Sequence, residues 1–248
     1  MRESEYRSFY DWVGAVNGWD FSSVRCRSEG AAWDFYREVA DRCRKTDVLL
    51  DIGTGGGEKL LGLAGYARQL IGIDQSAGMI ETARANAAHA GITNVSMLQM
   101  AAEKLELPDA CVHVIACRHA PFDAHEAFRV LSAGGQFLTQ QVGERDKHNL
   151  AEAFGRGQHT APDGTLMRRY LAELSDAGFR DVQASEYDAE EYYERPEDLV
   201  FLLKHTPIIP HFGERDGDFA ILERFIADNR TPIGIRTNAK RFMITASK

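Results

Sequence analysis

A chain of 248 residues, 44% of them hydrophobic, is long enough to bury one sizeable core, and a single α/β domain over 1–248 is the expectation. Acidic residues outnumber basic ones 37 to 29, and the net charge of −8 argues against nucleic-acid binding through a general positive field, though not against a local basic patch. Cys26, Cys43, Cys111 and Cys117 form no CxxC pair and have no histidines at zinc-finger spacing, so neither a disulfide framework nor a structural metal is indicated. The charged start lacks the apolar centre of a secretion signal and no window approaches about 18 uninterrupted apolar residues, so a soluble protein of the reducing cytoplasm is expected, without membrane association.

Residues 1–45 read as a mostly helical extension, with "NGWDFSS" as a turn and "EGAAWDFYREVADRCRK" as an amphipathic helix presenting Trp33, Tyr36, Val39 and Ala40 on one face. Strand 48–52, helix 58–66, strand 69–73, helix 77–89 and strand 95–99 follow, then strand 112–117, helix 123–130, the turn "SAGG" and strand 136–140. Near-continuous apolar strands alternating with helical patterns predict an α/β core over 46–190, a doubly wound, mostly parallel sheet covered on both faces. Helix 166–177 ends at Gly178, and "DVQASEYDAEEYY" alternates like a strand exposed on one face. An insert over 191–238 precedes a terminal strand in 239–248, and one late strand is expected to run antiparallel.

The stretch "LLDIGTGGGEKLL" carries the chemistry. A glycine-rich loop between a first parallel strand and a helix lies at the carboxyl edge of the sheet, where α/β folds bind ligands. Glycines there permit unusual dihedrals and remove the Cβ atoms that hold a ligand away, and the helix start offers unpaired N–H groups. Asp74 in "LIGIDQS" stands about 20 residues on, where dinucleotide-binding folds place an acid that holds ribose hydroxyls. The plainer alternative is a tight turn followed by a helix cap. The spacing Gly53, Gly55, Gly57 is GxGxG rather than the GxGxxG of nicotinamide and flavin enzymes, and Asp51 precedes it by two residues, where an acid suits a cationic ligand.

On these residues the chain resembles the class I S-adenosylmethionine-dependent methyltransferases, whose first motif reads D/E-x-G-x-G-x-G after a hydrophobic strand. The resemblance covers roughly 46–142 and includes "IGIDQSAGMIETARANA", "MAAEKLELPDACVHVIACRHAPFDAHEAFRVLSAGGQFLTQQ" and, further on, "LSDAGF" in the family's order. It implies a Rossmann-like fold with S-adenosyl-L-methionine as cofactor. Gly53, Gly55 and Gly57, with Asp51 and Thr54 beside them, would meet its methionyl and ribose parts, Asp74 with neighbouring Gln75 its ribose hydroxyls, and Met79 its adenine. Where the family often has Asp-Ala-Glu after the third strand, this chain has Ala101, Ala102 and Glu103, so backbone groups at Ala102 or the Glu103 carboxylate would take over adenine recognition.

The acceptor side centres on "CRHAPFD". There Arg118 is a candidate partner for the cofactor carboxylate, and His119 either orients or deprotonates the acceptor, or merely packs beside the cofactor. Methyl transfer needs alignment and exclusion of water more than strong acid or base groups. An aromatic N-terminal segment with Tyr10, Trp12, Trp19 and Phe21 and the insert with Tyr193 and His205 are candidates for a lid, with Trp19, Tyr193 and His205 as further acceptor contacts; simple packing is the alternative for each. The acceptor is expected to be a small molecule. "LLKHTPIIP" weakly resembles a tail segment of ribosomal-RNA guanine-N1 methyltransferases, which makes RNA modification an alternative, although their N-terminal metal-binding cysteine cluster is absent here. A non-catalytic S-adenosylmethionine-binding regulator is the other alternative, and a nicotinamide dehydrogenase a distant one.

Overall fold

The computed structural model describes residues 24–158 and 160–248, so the segment with Tyr10, Trp12, Trp19 and Phe21 lies outside the described residues. Among the described residues the first element is a strand where the sequence pattern reads as helix: β1 (Cys26–Glu29) pairs antiparallel with residues 190–193, a partner so distant that no local periodicity announces it. The amphipathic helix that follows is shorter than expected. Asp34 caps α1 (Phe35–Arg42) by accepting the Arg37 N–H at 3.1 Å, which leaves Trp33 ahead of the helix while Phe35, Val39 and Ala40 are buried.

The core then runs β2 (Val48–Ile52), α2 (Glu58–Leu61), β3 (Gln69–Asp74), α3 (Ala77–His89), β4 (Val95–Gln99), β5 (Val112–Arg118), α4 (Ala124–Val130) and β6 (Leu131–Val142). These five strands are parallel in the order β6-β5-β2-β3-β4. Their apolar runs are continuous because both faces are covered. Leu50, Ile52, Ile115 and Phe137 join one core with α4, while Leu49, Val114, Ala116 and Leu138 join another with α1 and α3. Helix α2 stops at Leu61, short of the expected residue 66, where Gly62 and then Gly65 weaken continuation. "SAGG" is not a free turn: Leu131 already pairs with Val112, and a register shift takes up the glycines, Gly134 at φ +76° and Gly135 where a Cβ would lie 2.9 Å from His113 O.

Past α5 (His148–Phe154) and α6 (Thr165–Asp176), the chain forms β7 (Arg180–Tyr193), α7 (Pro196–His205), α8 (Asp218–Asn229), β8 (Arg230–Thr231) and β9 (Gly234–Ser247). The terminal strand begins at Gly234, earlier than expected, and slots between β6 and β7, antiparallel to both. Its pairing with β6 ends at Val142↔Arg241, while its pairing with β7 continues to Tyr193↔Ile235. A two-stranded ribbon therefore overhangs the carboxyl edge of the parallel strands, with β1 and β8 added to it. On the ribbon sit α5, α7 and α8, sharing a separate core of Leu150, Leu199, Leu203, Leu222, Phe225 and Ile235. Arg156 Nη2 reaches both oxygens of the buried Asp218 carboxylate at 2.7 and 2.9 Å and locks α8 to the end of α5. Among the described residues no helix is long and apolar enough to cross a membrane.

Candidate active site

Strand order reverses between β2 and β5, so their ends open a crevice with Asp51 opposite Ala116 and Ile52 opposite Cys117. The N–H groups of Gly53 and Thr54 both donate to Ile73 O at 2.9 Å, curling the chain over β3 as it leaves β2. Gly53, Gly55 and Gly57 take φ of +74°, +57° and +77°, the left-handed region that side chains disfavour. Their surroundings differ. A Cβ on Gly53 would stand 2.3 Å from the Ala120 Cβ, and one on Gly57 would stand 2.8 Å from Met97 Cε and 3.3 Å from Ala83 Cβ. Gly53 thus lets the loop press on the turn after β5, and Gly57 lets it pack on α3 and β4. Gly55 donates its N–H to Asp74 Oδ2 at 3.0 Å, while Asp74 Oδ1 accepts from Ser76 N at 2.9 Å. Asp74 so ties the glycine loop to the start of α3 at the carboxyl end of β3.

Asp51 is 1% exposed at the end of β2. Tyr36 on α1 directs its hydroxyl to Oδ1 at a long 3.5 Å, whereas Asp51 Oδ2 and the Thr54 Oγ1 make no hydrogen bond. Burial pushes the Asp51 carboxyl up to about 7; the nearby Thr54 hydroxyl, which meets no oxygen at bonding geometry, Arg118 and Tyr36 offset this in part, and Asp74 adds to it. Two orphaned polar atoms in one buried corner are costly unless a ligand meets them, and a donor bearing positive charge suits both. Arg118 lies across the crevice over the Tyr36 ring, 5.9 Å from its centroid, and makes no ion pair among the described residues.

His119 follows with a left-handed backbone, φ +57°. Its N–H donates to Gln140 O at 2.8 Å, and its Nε2 lies 3.1 Å from Gln140 Nε2. Gln140 Oε1 accepts the Trp33 Nε1–H at 2.7 Å, and the Trp33 ring meets Tyr187 edge-on at 4.6 Å. Burial, then the charges of Arg118, Arg241 and Lys147, hold His119 well below the usual histidine range. Cys117 is buried, donates to Ala120 O at 3.2 Å and has its thiol pushed up to about 12 by burial, an inert strand residue.

The other expected residues are dispersed. Met79 is buried one turn into α3, and Gln75 is exposed with its carbonyl accepting from Gln99 Nε2 at 3.2 Å. The turn after β4 is drawn to the site by Met100 N donating to Asp74 O at 2.9 Å; Ala102 there is half-buried and Glu103 exposed. Tyr193 belongs to the ribbon, where its hydroxyl and Lys147 Nζ meet Glu191 Oε2 at 2.8 and 2.7 Å. His205 ends α7, its Nδ1 2.8 Å from Phe201 O and its ring stacked on Phe201, and Trp19 lies outside the described residues. Sequence reasoning did not single out Tyr36 as a site residue, nor Trp33, Gln140 or Tyr187. The one available signal was "TQQ", three polar residues ending an apolar strand, all buried in the structure. Among the described residues no group of three or more His, Cys, Asp or Glu side chains is placed to hold a metal ion.

A parallel sheet with a reversal beside β2, a positive-φ glycine loop over that reversal and an acid at the end of β3 define the class I methyltransferases. A family model described as a methyltransferase domain matches residues 44–172, more than half of the chain, and the chain belongs to that family. It is 36% identical over 103 residues to the uncharacterized methyltransferase YcgJ of Bacillus subtilis, a match over 39% of this chain and 41% of that one. A putative methyltransferase of Dictyostelium discoideum is 31% identical over 117 residues, 44% of this chain and 42% of that one. The chain thus matches about two fifths of the length of these curated relatives. In fold, the crystal structure of YcgJ superposes with a TM-score of 0.63 at 22% identity, over 86% of this chain and 95% of that one. The [4+2]-cyclase SpnF superposes with a TM-score of 0.63 at 18% identity, over 100% and 97%.

Proposed function

We propose that the chain transfers a methyl group from S-adenosylmethionine to a small-molecule acceptor. The observation that carries the reading is the pair of orphaned polar atoms, Asp51 Oδ2 and Thr54 Oγ1, beside the glycine loop. A cationic amino acid moiety fits that corner, and NAD brings no ammonium to it. S-adenosylmethionine, when bound, supplies an electrophilic methyl group on a sulfonium. In this reading Asp51 and Thr54 receive its ammonium, Arg118 its carboxylate and Asp74 with Gln75 its ribose. Gly53, Gly55 and Gly57 shape the loop against it, and Met79, Ala102 and Glu103 border its adenine. A small acceptor is favoured over RNA by the charge of −8 and by Asp181, Glu186, Asp188 and Glu190 exposed along β7, which repel a phosphate backbone.

Isothermal titration tests the donor half. S-adenosylmethionine and S-adenosylhomocysteine are expected to bind and NAD to give no heat; NAD binding with no response to the other two overturns the reading. Asp74→Ala is expected to weaken S-adenosylhomocysteine by roughly 1–3 kcal/mol in a folded protein, the scale of hydrogen bonds lost to a charged acceptor. Because SpnF is named for a cyclisation, methyl transfer is read directly, with labelled donor and either a small-molecule extract or ribosomal RNA as acceptor pool. The insert is expected to behave as scaffold rather than as a closing lid: with its own core and the Arg156–Asp218 pair, amides of residues 199–203 and 221–226 should exchange slowly without ligand and stay unchanged with S-adenosylhomocysteine.

A further inference from the structure

His119 stands at the end of β5 in a backbone conformation that a non-glycine residue holds only when its surroundings impose it. Gln140 imposes it, and also decides where the ring proton sits. The indole Nε1–H of Trp33 can only donate, so its partner at 2.7 Å is the Gln140 Oε1, which fixes the face of the amide. The Gln140 Nε2 then points at His119 Nε2, 3.1 Å away, and an amide nitrogen has only hydrogens to offer. His119 Nε2 is therefore the acceptor, and the proton of the neutral ring is on Nδ1. Gln140 is 4% exposed and cannot turn over without leaving Trp33 unpaired. The charged groups facing the ring reinforce this state. Arg118 on β5, Arg241 on β9 and Lys147 before α5 all oppose an imidazolium, and the acids nearest them are engaged, Asp146 with Arg241 at 2.5 Å and Glu191 with Lys147 at 2.7 Å. Among the described residues nothing accepts from His119 Nδ1.

We infer that His119 is a positioning residue that holds the acceptor through a fixed Nδ1–H donor and does not serve as its base. The acceptor presents a hydrogen-bond-accepting oxygen or nitrogen to Nδ1, and its methylated atom brings its own lone pair, as a neutral amine, a carboxylate or a thiolate does. That lone pair forms the bond to the methyl carbon, the carbon–sulfur pair stays on the thioether product, and any proton the acceptor sheds goes to solvent. The inference rests on the methyl-transfer reading for what occupies the crevice, while the tautomer stands apart from it.

Long-range proton–nitrogen spectra of the full chain labelled with 15N-histidine test the tautomer. His119 is expected to show a protonated Nδ1 and a bare Nε2, with its titration well below the ordinary histidine range. Gln140→Glu, which replaces the amide donor by an acceptor, should move the proton to Nε2 and raise the titration. A wild-type ring protonated at Nε2, or titrating as an ordinary histidine, overturns the inference. The second arm follows transfer from labelled S-adenosylmethionine to the small-molecule fraction of a cell extract. His119→Ala should lower transfer at least tenfold. His119→Asn should restore the greater part with the wild-type pH profile, because the asparagine amide nitrogen lies where Nδ1 lies and asparagine tolerates φ > 0. An asparagine variant as inactive as the alanine one, with donor binding intact by calorimetry, overturns the inference. Absence of donor binding to the unaltered chain overturns instead the methyl-transfer reading.

Discussion

Asp51→Asn is expected to stabilise the ligand-free chain at pH 8, to leave it nearly unchanged at pH 4, and to weaken S-adenosylmethionine about 10- to 100-fold. The sign follows from the direction of the shift. Burial raises the folded carboxyl from 3.8 to about 7. Between those values the unfolded chain is ionised while the folded one still keeps its proton. The stability contributed by that proton is fully present below 3.8 and is lost as pH rises through about 7. The loss is at most about 4 kcal/mol, and asparagine, which never ionises, escapes it. Urea midpoints at the two pH values measure the difference. The ligand dependence runs the other way. A cation must drive the proton from Asp51 before it gains the charge-assisted contact, so wild-type affinity should fall about tenfold per unit below pH 7 while that of the variant stays flat. A variant destabilised equally at both pH values would show that the folded carboxyl is not raised, and a wild-type affinity without this slope would show that Asp51 does not meet the cation.

Gly53→Val is expected to cost about 3 kcal/mol or more and to abolish donor binding, as read by denaturant midpoint and calorimetry. Two causes add: the left-handed backbone, which disfavours any side chain, and a Cβ only 2.3 Å from that of Ala120. Ala120 cannot retreat freely, since its carbonyl is held by Gln141 Nε2 at 2.8 Å and by the Cys117 thiol at 3.2 Å. The Asp51–Thr54 corner and the "CRHAPFD" turn are thus one packed unit, and a side chain between them displaces both walls of the crevice. Gly65→Ala is the control, with nothing within 4 Å of the added methyl. Unimpaired binding by the valine variant would show that the loop does not need this close approach.

The parallel half of the fold was legible because its signals are local. Val48–Ile52, Ala77–His89 and Val95–Gln99 appear with the expected bounds, for each is an apolar run or helical period closed by its own neighbours, as Ser76 closes the start of α3 by accepting from Met79 N at 3.2 Å. Misreadings fall where the deciding partner is remote. Cys26–Glu29 is a strand only because β7 returns to it, and β9 starts at Gly234 only because β7 reaches that far. The site divides in the same way. The acids and glycines were readable from spacing, but the different surroundings of Gly53 and Gly57 depend on Ala120, Met97 and Ala83. The proton on His119 depends on Gln140 and Trp33, which no motif joins to it.

The overhanging ribbon separates what can vary from what cannot. Below Val142 a change in β9 is felt by β6 and, through it, by the strands that end at Asp51 and Arg118. Beyond Val142, residues 234–240 of β9 leave β6 and pair with β7 over about 20 Å of strand, held to the 143–149 segment through Asn238 and Lys240. Side chains alternate faces along a strand, so a single inserted residue would turn the buried Tyr193 and Ile235 outward, whereas a matched pair inserted on both strands preserves every facing. Lengthening or shortening the ribbon in steps of two residues per strand therefore keeps the facing of the side chains that carry the helical cap, and adds no residue to the strands that end at Asp51 and Arg118.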